Sequence, residues 1–443
     1  MTTPEVARTP IPVYTIDLAL PPQERYVAMT ADFAPRMRSL TFLFDDLLSQ
    51  LFESAWLRAL LKGLSRVCLR RVYDSKENEE LQGISKASGV PMYLLVALNN
   101  LLDCLLGCTS GAVPTSPKKS TANGNTTSAA EEVRLMHFRT LDWGMGPLRE
   151  LLVVLEFVDS SADDPHLVIA RSITYAGFVG TLTAVRKKMS ISLNFRPNHD
   201  YPSKKLRLHQ LLVLLGQRRS VGSIMRAFLF KDRKAWHSGN PTSKYSDSDR
   251  MDKKFDSDLE KEALILAFKP SAPCYLILCT GQEAAVVEKD YITARVRTST
   301  SFIAQTNHDI RETDDTTPEI GITNDERRDI ISSPFDIQDW VEESSDRLQC
   351  VQRKWERRKK SYNSMMANKR EASMRSHNRQ HGDMHLDVQE LEGIRPSVSE
   401  KTLQKWLREY PTTNECTHFA TILDPHSGTI RWVVRKPTEE DDE

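Results

Sequence analysis

Apolar residues recur at helical spacing near the start of the chain. Leu40, Leu43 and Leu47 lie three or four residues apart, with polar residues between them. This spacing predicts an α-rich segment over residues 26–107. After that segment the apolar runs become short and continuous, which is typical of buried strands. The predicted strands cover residues 151–158, 167–174, 189–194, 274–279, 302–306, 419–423 and 429–434.

Helical spacing returns between the predicted strands. It predicts further helices over residues 206–215, 220–229, 334–347 and 399–409. Three stretches predict surface insertions, because they carry too few apolar residues to build a core. These insertions cover residues 113–132, 236–262 and 348–398. The chain is therefore expected to be an α+β protein, with a helical segment over 1–107 followed by a β-rich domain over 108–443.

Composition excludes several classes of protein. The 443 residues carry no net charge and have a pI near 7.2, so overall electrostatics give no reason to expect nucleic acid as a partner. Seven cysteines without CxxC spacing disfavour a disulfide scaffold and indicate a reducing compartment. Residues 1–14 contain Thr and Pro where a secretory signal needs apolar residues. We therefore expect the protein in the cytosol.

Cys108 stands where the helical pattern ends, within Gly107-Cys108-Thr109-Ser110. Most cysteines in such a position are small buried hydrophobes, so this residue alone indicates little. Its position within an ordered series of short motifs changes the picture. The motifs that follow Cys108 are Arg139-Thr140-Leu141-Asp142-Trp143, Tyr175-Ala176-Gly177-Phe178-Val179-Gly180, Gln305-Thr306-Asn307-His308-Asp309 and Asp325-Glu326-Arg327-Arg328.

This ordered set, with residues 11–18 and 21–25 before it, resembles the acid ceramidase and N-acylethanolamine acid amidase family. The resemblance implies a four-layer α-β-β-α sandwich of the N-terminal-nucleophile hydrolases, preceded by a helical segment. It also implies an enzyme that hydrolyses the amide bond of N-acyl lipids, either ceramide or an N-acylethanolamine. No cofactor and no metal are implied.

The family's chemistry requires a free amine at the nucleophile. A thiol with a pKa near 8.5 is only a few per cent ionised at neutral pH, so it needs a base. The resemblance implies an autocatalytic cut between Gly107 and Cys108. The new α-amine, with a reference pKa near 7.7, then accepts the proton of the thiol on the same residue. The fragments 1–107 and 108–443 would stay associated by packing.

The resemblance assigns a role to each of five further residues. Asp142 would hold the α-amine, and Arg139 would lower the pKa of the thiol and orient the substrate carbonyl. Asn307 would donate its amide to the oxyanion. Arg327 would close the cluster electrostatically, and Asn194 would add a polar contact. Taken singly, Arg139 and Asp142 are equally typical of a surface ion pair, and Asn307 of a turn.

One departure from the family pattern keeps two alternatives open. Where the family has Asn-Glu-Arg, this chain has Asn194-Phe195-Arg196, so a carboxylate is missing. One alternative is a thiol hydrolase that uses His137 as a separate base and leaves the chain uncut. The other is a catalytically silent relative that binds lipid.

Other patterns carry weaker hypotheses. His377, His381 and His385 have helical spacing, but their polar surroundings and Gly382 favour a solvated insertion over a metal site. The basic run 353–360, with Trp355 within it, suggests contact with an anionic membrane. Several apolar residues of the helical segment could line an acyl-chain channel, although core packing is their commoner role. These are Leu40, Phe44, Leu47, Phe52 and Trp56.

Overall fold

A computed structural model describes residues 10–101, 107–116, 133–197, 203–230, 257–310, 337–377 and 395–436. Five helices form the first part of the chain, as their apolar spacing predicts. After a short strand β1 (Val13–Asp17) come α1 (Val27–Ser39), α2 (Leu43–Leu51), α3 (Ala55–Cys68), α4 (Ser75–Ser88) and α5 (Met92–Leu101).

Local sequence signals set the ends of several helices. Asp74 precedes α4, and its carboxylate accepts hydrogen bonds from the backbone N–H groups of Lys76 and Glu77. The same helix ends at Gly89, whose φ of 75° is a left-handed conformation that glycine adopts without strain. The next helix is α6 (Ser203–Leu214). Later helices follow the same rule, with Ser220 capping α7 (Val221–Leu229) and Ser257 capping α8 (Asp258–Ala267).

An eight-stranded sheet forms the first half of the β-rich part, in the order β1-β4-β5-β6-β7-β8-β9-β10. β1 runs parallel to β4, and every other pair in this sheet is antiparallel. β8 is buried along its whole length, because both faces of the sheet are covered. The strands after β1 are β4 (Leu152–Val158), β5 (Ala170–Tyr175), β6 (Thr183–Arg186), β7 (Met189–Phe195), β8 (Cys274–Cys279), β9 (Ala284–Lys289) and β10 (Ala294–Ser299).

A six-stranded sheet faces the first one. Its order is β11-β2-β3-β13-β14, and β12 lies parallel beside β2. Its strands are β2 (Gly107–Ser116), β3 (Arg134–Asp142), β11 (Ile303–Gln305), β12 (Val398–Ser399), β13 (Thr417–Asp424) and β14 (Thr429–Arg435). Hydrogen bonds cross from this sheet to the other, for example from the Ser110 hydroxyl in β2 to Asn194 in β7.

Helices cover the outer face of each sheet, which gives four layers. Ile224 and Phe228 of α7 and Leu266 of α8 belong to the same core as the outer residues of the eight-stranded sheet. On the other side, α9 (Ile337–His377) and α10 (Glu400–Arg408) pack against the six-stranded sheet through Val351, Trp355, Leu403 and Leu407. The expected α+β fold of α-β-β-α layers is confirmed.

The helical first part is attached to the turn after β5 and to α7. The Asn99 side chain donates to the carbonyl of Gly177 at 2.8 Å and accepts from the backbone N–H of Val179 at 2.9 Å. Glu80 of α4 forms a buried ion pair with Arg226 of α7. These contacts place the helical segment beside the end of the sheets where the Tyr175-Ala176-Gly177 motif lies.

The structure corrects the predicted insertions. Residues 348–377 are not an insertion but part of the 41-residue helix α9, whose Leu348, Val351 and Trp355 are buried. Residues 113–116 continue β2, and residues 258–262 begin α8. Residues 117–132, 231–256 and 378–394 lie outside the described ranges. Among the described helices, none is both long enough and apolar enough to cross a membrane.

Candidate active site

Cys108 is the second residue of β2, in the middle of the six-stranded sheet. Its side chain is fully buried. β3 lies beside it, and the register of the two strands sets Gly107 opposite Asp142 and Ser110 opposite Arg139. The pairing of these two strands brings both Arg139 and Asp142 beside Cys108. Because side chains alternate along a strand, Arg139 lies on the same face of the sheet as the thiol and Asp142 on the opposite face.

Arg139 is a fully buried guanidinium that contacts the thiol. Its Nη2 donates to the Cys108 Sγ at 3.1 Å and to the carbonyl of Leu193 at 2.6 Å. Its Nη1 donates to the Thr183 hydroxyl at 2.5 Å and to the carbonyl of Leu182. These acceptors on β6, β7 and the turn before β6 offset the cost of burying a charge. They also fix the guanidinium between the two sheets.

The thiol is neutral in the uncut chain. Burial raises the pKa of Cys108 above its usual value, and the positive charge of Arg139 opposes this shift without cancelling it. The charge of Arg139 lowers the pKa of the thiol, and burial raises the same pKa by more. An additional base is needed before the sulfur can act as a nucleophile.

Asn307, which follows β11, holds the backbone nitrogen of Cys108. The Asn307 Oδ1 accepts from the Cys108 N–H at 2.7 Å and from the Arg347 Nη2 at 3.0 Å. Its Nδ2 donates to the carbonyl of Phe195 at 2.8 Å. Because the first two partners are donors and the third is an acceptor, they fix the orientation of the amide. In the uncut chain Asn307 thus faces the nitrogen of the bond expected to break.

Asp142 lies opposite Gly107 in the neighbouring strand β3. Its Oδ1 accepts from the Thr417 hydroxyl at 2.6 Å, and its Oδ2 lies 3.6 Å from the Arg347 Nη1. Within the described part of the chain, the buried Oδ2 has no hydrogen-bond partner. Burial raises the pKa of Asp142, and the nearby Arg347 lowers it. A buried carboxylate oxygen in this position is suited to accept a hydrogen bond from an amine.

One of the predicted site residues, Asn194, stands apart from this cluster. Asn194 is fully buried in β7, but its side chain accepts from the Ser110 hydroxyl at 2.7 Å and donates to the carbonyl of Gln305 at 2.9 Å. It therefore joins β2, β7 and β11 and makes no contact with the sulfur in these hydrogen bonds. Arg327 lies outside the described residues, so its predicted role remains a prediction.

Sequence reasoning missed Arg347. This residue belongs to α9, is buried, and contacts both Asp142 and Asn307. The available signal was helical spacing, since Ser344, Arg347, Leu348 and Val351 lie on one buried face of α9. The Ser344 hydroxyl also accepts from the backbone N–H of Asn307 at 2.8 Å. α9 therefore supplies two of the contacts that hold the Asn307 segment.

His137 does not act on the thiol in this arrangement. Its two ring nitrogens lie 2.9 Å from the hydroxyls of Ser190 and Ser192 in β7. Burial and Arg139 lower its pKa to about 3, so it is a weak base. This geometry disfavours the alternative of a separate Cys–His pair. The described ranges contain no cluster of acidic, His and Cys side chains able to hold a metal, and His381 and His385 lie outside those ranges.

An apolar cavity lies between the helical segment and the residues after Asp142. Leu40, Phe44 and Leu47 line it, as expected, whereas Phe52 and Trp56 do not, and Trp56 is 71% exposed. Trp143, which follows Asp142 directly, forms part of the wall. The remaining lining residues come from both parts of the chain: Met37, Thr41, Leu43, Val90, Leu94, Leu95, Ala97, Leu98, Met145, Leu148, Leu151 and Ala176.

Two facing sheets between helical layers, with a thiol near the start of a central strand, form the architecture of the N-terminal-nucleophile hydrolases. Comparison with known proteins agrees with this class. Residues 9–73 match the family model described as the beta subunit of N-acylethanolamine-hydrolyzing acid amidase.

Several curated proteins are similar to this chain. Acid ceramidase of Heterocephalus glaber is 24% identical over 204 residues, which is 43% of this chain and 46% of that protein. Acid ceramidase of Mus musculus is 25% identical over the same shares of the two chains. An uncharacterized protein of Acanthamoeba polyphaga mimivirus is 24% identical over 328 residues, 72% of this chain and 84% of its own length. The chain thus spans slightly less than half the length of the acid ceramidases it matches.

One solved structure is also similar to this chain. The Caenorhabditis elegans ortholog of N-acylethanolamine-hydrolyzing acid amidase is 14% identical with a TM-score of 0.40, covering 74% of this chain and all of that one. The resemblance to the acid ceramidase and N-acylethanolamine acid amidase family, indicated by the ordered motifs, is confirmed by the family model and the curated relatives.

Proposed function

We propose that this protein hydrolyses the amide bond of N-acyl lipids, with Cys108 as the nucleophile after a cut between Gly107 and Cys108. The substrate is ceramide, which yields sphingosine and a fatty acid, or an N-acylethanolamine, which yields ethanolamine and a fatty acid. The observation that carries this proposal is the setting of the Cys108 nitrogen. Asn307 accepts its hydrogen bond at 2.7 Å, and Asp142 lies across the strand pair from it.

The proposed cut releases this nitrogen. The Cys108 sulfur attacks the carbonyl carbon of Gly107, the C–N bond to Cys108 breaks, and the nitrogen leaves as a primary amine. Water then hydrolyses the thioester between Gly107 and the sulfur, which restores the thiol and frees the carboxylate of Gly107. Gly107 has no Cβ that would obstruct the attack. The Asp142 Oδ2, which has no hydrogen-bond partner among the described residues, is suited to accept a hydrogen bond from the new amine.

In the proposed catalytic cycle the α-amine takes the thiol proton, and the sulfur attacks the amide carbonyl of the lipid. The Arg139 Nη2, 3.1 Å from the sulfur, stabilises the thiolate. The lipid C–N bond breaks, the proton moves from the α-ammonium to the leaving amine, and water hydrolyses the thioester. The Asn307 amide is the proposed donor to the oxyanion, a type of contact whose loss costs roughly 10²–10³ in rate.

The apolar cavity is the proposed site of the acyl chain. Apart from Thr41, all of its lining side chains are apolar, which suits a hydrocarbon chain. Helices α2 and α5 supply one wall, and Trp143 connects the cavity to the strand that carries Arg139 and Asp142. An acyl chain placed here would leave its amide near Cys108.

Two further partners are proposed. The first partnership is between the fragments 1–107 and 108–443, which the contacts of Asn99 and Glu80 described above would hold together. The second is an anionic membrane, but the basic run in α9 is a poor candidate because Trp355 is buried against the six-stranded sheet. Helix α3 fits better, because Trp56, Leu60, Leu64 and Val67 are all more than half exposed and recur along one side of the helix.

The cut and the nucleophile are tested together. Wild-type protein and Cys108→Ala are compared by denaturing gel, with N-terminal sequencing of the larger fragment, and assayed with fluorescent ceramide and N-acylethanolamine. We expect two fragments with Cys108 as the first residue of the larger one, and an uncut, inactive Cys108→Ala. Cys279→Ala, which removes another fully buried thiol, is the matched control and should behave as wild type.

A second candidate function, lipid binding without turnover, is supported by Phe195 in place of a family carboxylate and by the apolar cavity. It predicts that the wild-type chain stays whole and binds a fluorescent fatty amide without releasing product. The expected compartment, the cytosol, is tested by microscopy of the tagged full-length protein. Lysosomal or vacuolar signal would contradict it.

A further inference from the structure

A cluster of four side chains, two of them buried and two half-buried, lies close to Asn307. Arg196 follows β7 directly and is 3% exposed. Its Nε donates to the Asp309 Oδ1 at 2.8 Å and its Nη2 to the Asp309 Oδ2 at 2.9 Å, so the guanidinium binds the carboxylate with two parallel hydrogen bonds. The same Nη2 contacts the Glu288 Oε1 at 3.2 Å, and the Tyr275 hydroxyl donates to the Asp309 Oδ1 at 2.6 Å.

This cluster closes a ring with Asn307. Asp309 lies two residues after Asn307, and Arg196 is the residue after Phe195. The Asn307 Nδ2 donates to the carbonyl of Phe195 at 2.8 Å. One connection between the two segments is therefore the Asn307 amide, and the other is the Arg196–Asp309 pair. Together they hold the end of β7, in the eight-stranded sheet, against the end of β11, in the six-stranded sheet.

The chemistry of the pair favours a geometric role over a stabilising one. Replacing a buried ion pair with apolar residues of similar volume is often neutral or stabilising, because desolvation offsets the attraction. What the pair supplies is direction: a planar guanidinium and a carboxylate fit each other in one plane, and a lysine in place of arginine cannot form both hydrogen bonds. The Tyr275 hydroxyl fixes the carboxylate from a third direction.

We infer that Arg196 and Asp309 are positioning residues for Asn307, which fix its side-chain amide between the Phe195 carbonyl and the nitrogen of Cys108. They touch neither the sulfur nor the Cys108 nitrogen in the contacts described. They act by setting the distance between the two segments that carry Asn307 and its acceptor. This inference rests on the proposed function of Cys108 and Asn307.

The test uses Arg196→Lys, which keeps the charge but removes the paired hydrogen bonds, and Asp309→Asn, which keeps the size. The matched control is Arg171→Lys, since Arg171 pairs with Glu156 at 2.7 Å in the same sheet, far from Asn307 in sequence. We expect both cluster variants to keep a KM within about twofold of wild type while kcat falls by roughly 10²-fold, the size of effect that a displacement of about 1 Å can cause. Arg171→Lys should keep both constants.

A double-mutant cycle with Asn307→Ala separates positioning from general stability. If Arg196 acts through Asn307, Arg196→Lys causes no further loss of kcat once Asn307 is Ala. Equal losses in both backgrounds would overturn the inference, as would an effect no larger than that of Arg171→Lys. Failure of both cluster variants to fold would mean that the pair serves stability, and would also overturn it.

Crystal structures decide the question independently of turnover. If the wild-type protein hydrolyses no N-acyl lipid, the proposed function fails, and the cycle cannot be read. Cys108→Ala is then compared with the double variant Cys108→Ala, Arg196→Lys. Loss of the hydrogen bond from Asn307 to the Phe195 carbonyl in the double variant alone supports the inference. An unchanged Asn307 in the double variant rejects it.

Discussion

The guanidinium of Arg347 contacts the side chains of both Asp142 and Asn307. It lies 3.6 Å from the Asp142 carboxylate and donates to the Asn307 carbonyl oxygen at 3.0 Å. Without it, the buried Asp142 would lose the nearest positive charge among its described contacts, and desolvation would favour the protonated acid. A protonated Asp142 accepts a hydrogen bond from an amine less well than a carboxylate does.

We therefore predict that Arg347→Gln slows the cut at Gly107–Cys108 and lowers kcat by roughly 10²-fold, because it weakens the electrostatic stabilisation of a buried site. Gel analysis of cleavage over time and steady-state kinetics measure the two effects. Arg353→Gln, an exposed position on the same helix, is the matched control. Arg327→Gln, run in parallel, tests the residue that the motif predicts. Wild-type cleavage by Arg347→Gln would contradict the role of Arg347.

At the level of single residues, the structure places close together most of the residues that the motifs indicated, while their roles stay predictions. Cys108, Arg139, Asp142 and Asn307 do come together, because strand pairing and the end of β11 bring the motifs into register. Arg347 could not be found from a motif, since it lies 40 residues beyond Asn307 in the predicted helix over residues 334–347 and belongs to none of the motifs. Which of several arginines reaches a site depends on long-range packing, and spacing along the chain does not record that packing.

Strands with a clear apolar pattern were predicted well, and strands that carry buried charged or polar side chains were not. β8 is a continuous apolar run and β13 is mostly apolar over residues 419–423, whereas β3 carries the buried His137 and Arg139 and shows no clear strand pattern. The start of α9 was predicted as the helix over residues 334–347, but its continuation over residues 348–377 was predicted as an insertion because its charged composition resembles a solvated segment. Its Glu, Lys, Arg, Met and Ala residues are nevertheless strong helix formers, and only one face of the helix is buried.

The contact between α4 and α7 makes the attachment of the helical segment to the β-rich part depend on pH. Glu77 of α4 is buried and accepts from the Ser223 hydroxyl at 3.0 Å. Burial raises its pKa to about 7, above the reference of 4.5, and the positive charges of Arg226 and Arg219 oppose this shift. A carboxyl whose pKa rises on folding contributes stability that is fully present below about 4.5. That stability is lost as pH rises through about 7.

We predict that the protein melts at a higher temperature near pH 5 than near pH 8, with up to about 3 kcal/mol from Glu77. Glu77→Gln should raise the melting temperature near pH 8 and reduce the difference between the two conditions. Thermal melts by differential scanning fluorimetry measure this. Glu79→Gln, on the same helix and less buried, should leave the difference unchanged. A pH dependence that is identical in Glu77→Gln and wild type would contradict the assignment.

At the scale of the whole molecule, one exposed surface lies close to the apolar cavity. Trp56, Leu60 and Leu64 project from α3, which packs against α2 and α5, the helices that line the cavity. Arg66, Arg70 and Arg71 lie along or just after the same helix and are exposed. Lys62 is engaged by Asp45 at 2.6 Å. Exposed apolar side chains flanked by cations are typical of a helix that lies on an anionic membrane.

We predict that the protein sediments with vesicles containing phosphatidylcholine and phosphatidylserine, and less with phosphatidylcholine alone. Trp56→Ser with Leu60→Ser should weaken binding by roughly tenfold or more, because less apolar area enters the interface. Leu167→Ser, equally exposed in the loop before β5, is the matched control. Unchanged binding of the double variant would contradict the surface. A wild-type dimer that becomes a monomer in the double variant would assign this face to a second copy.

The pairing of β1 with β4 has a consequence for the two fragments that the proposed cut between Gly107 and Cys108 would produce. β1 belongs to residues 1–107, yet it forms the outermost strand of the eight-stranded sheet. Departure of the small fragment would uncover the backbone N–H and C=O groups of β4 along five residue pairs. A bare strand of this kind recruits other chains, so the large fragment would be prone to self-assembly into aggregates. By staying bound, the fragment 1–107 would protect the large fragment from this aggregation.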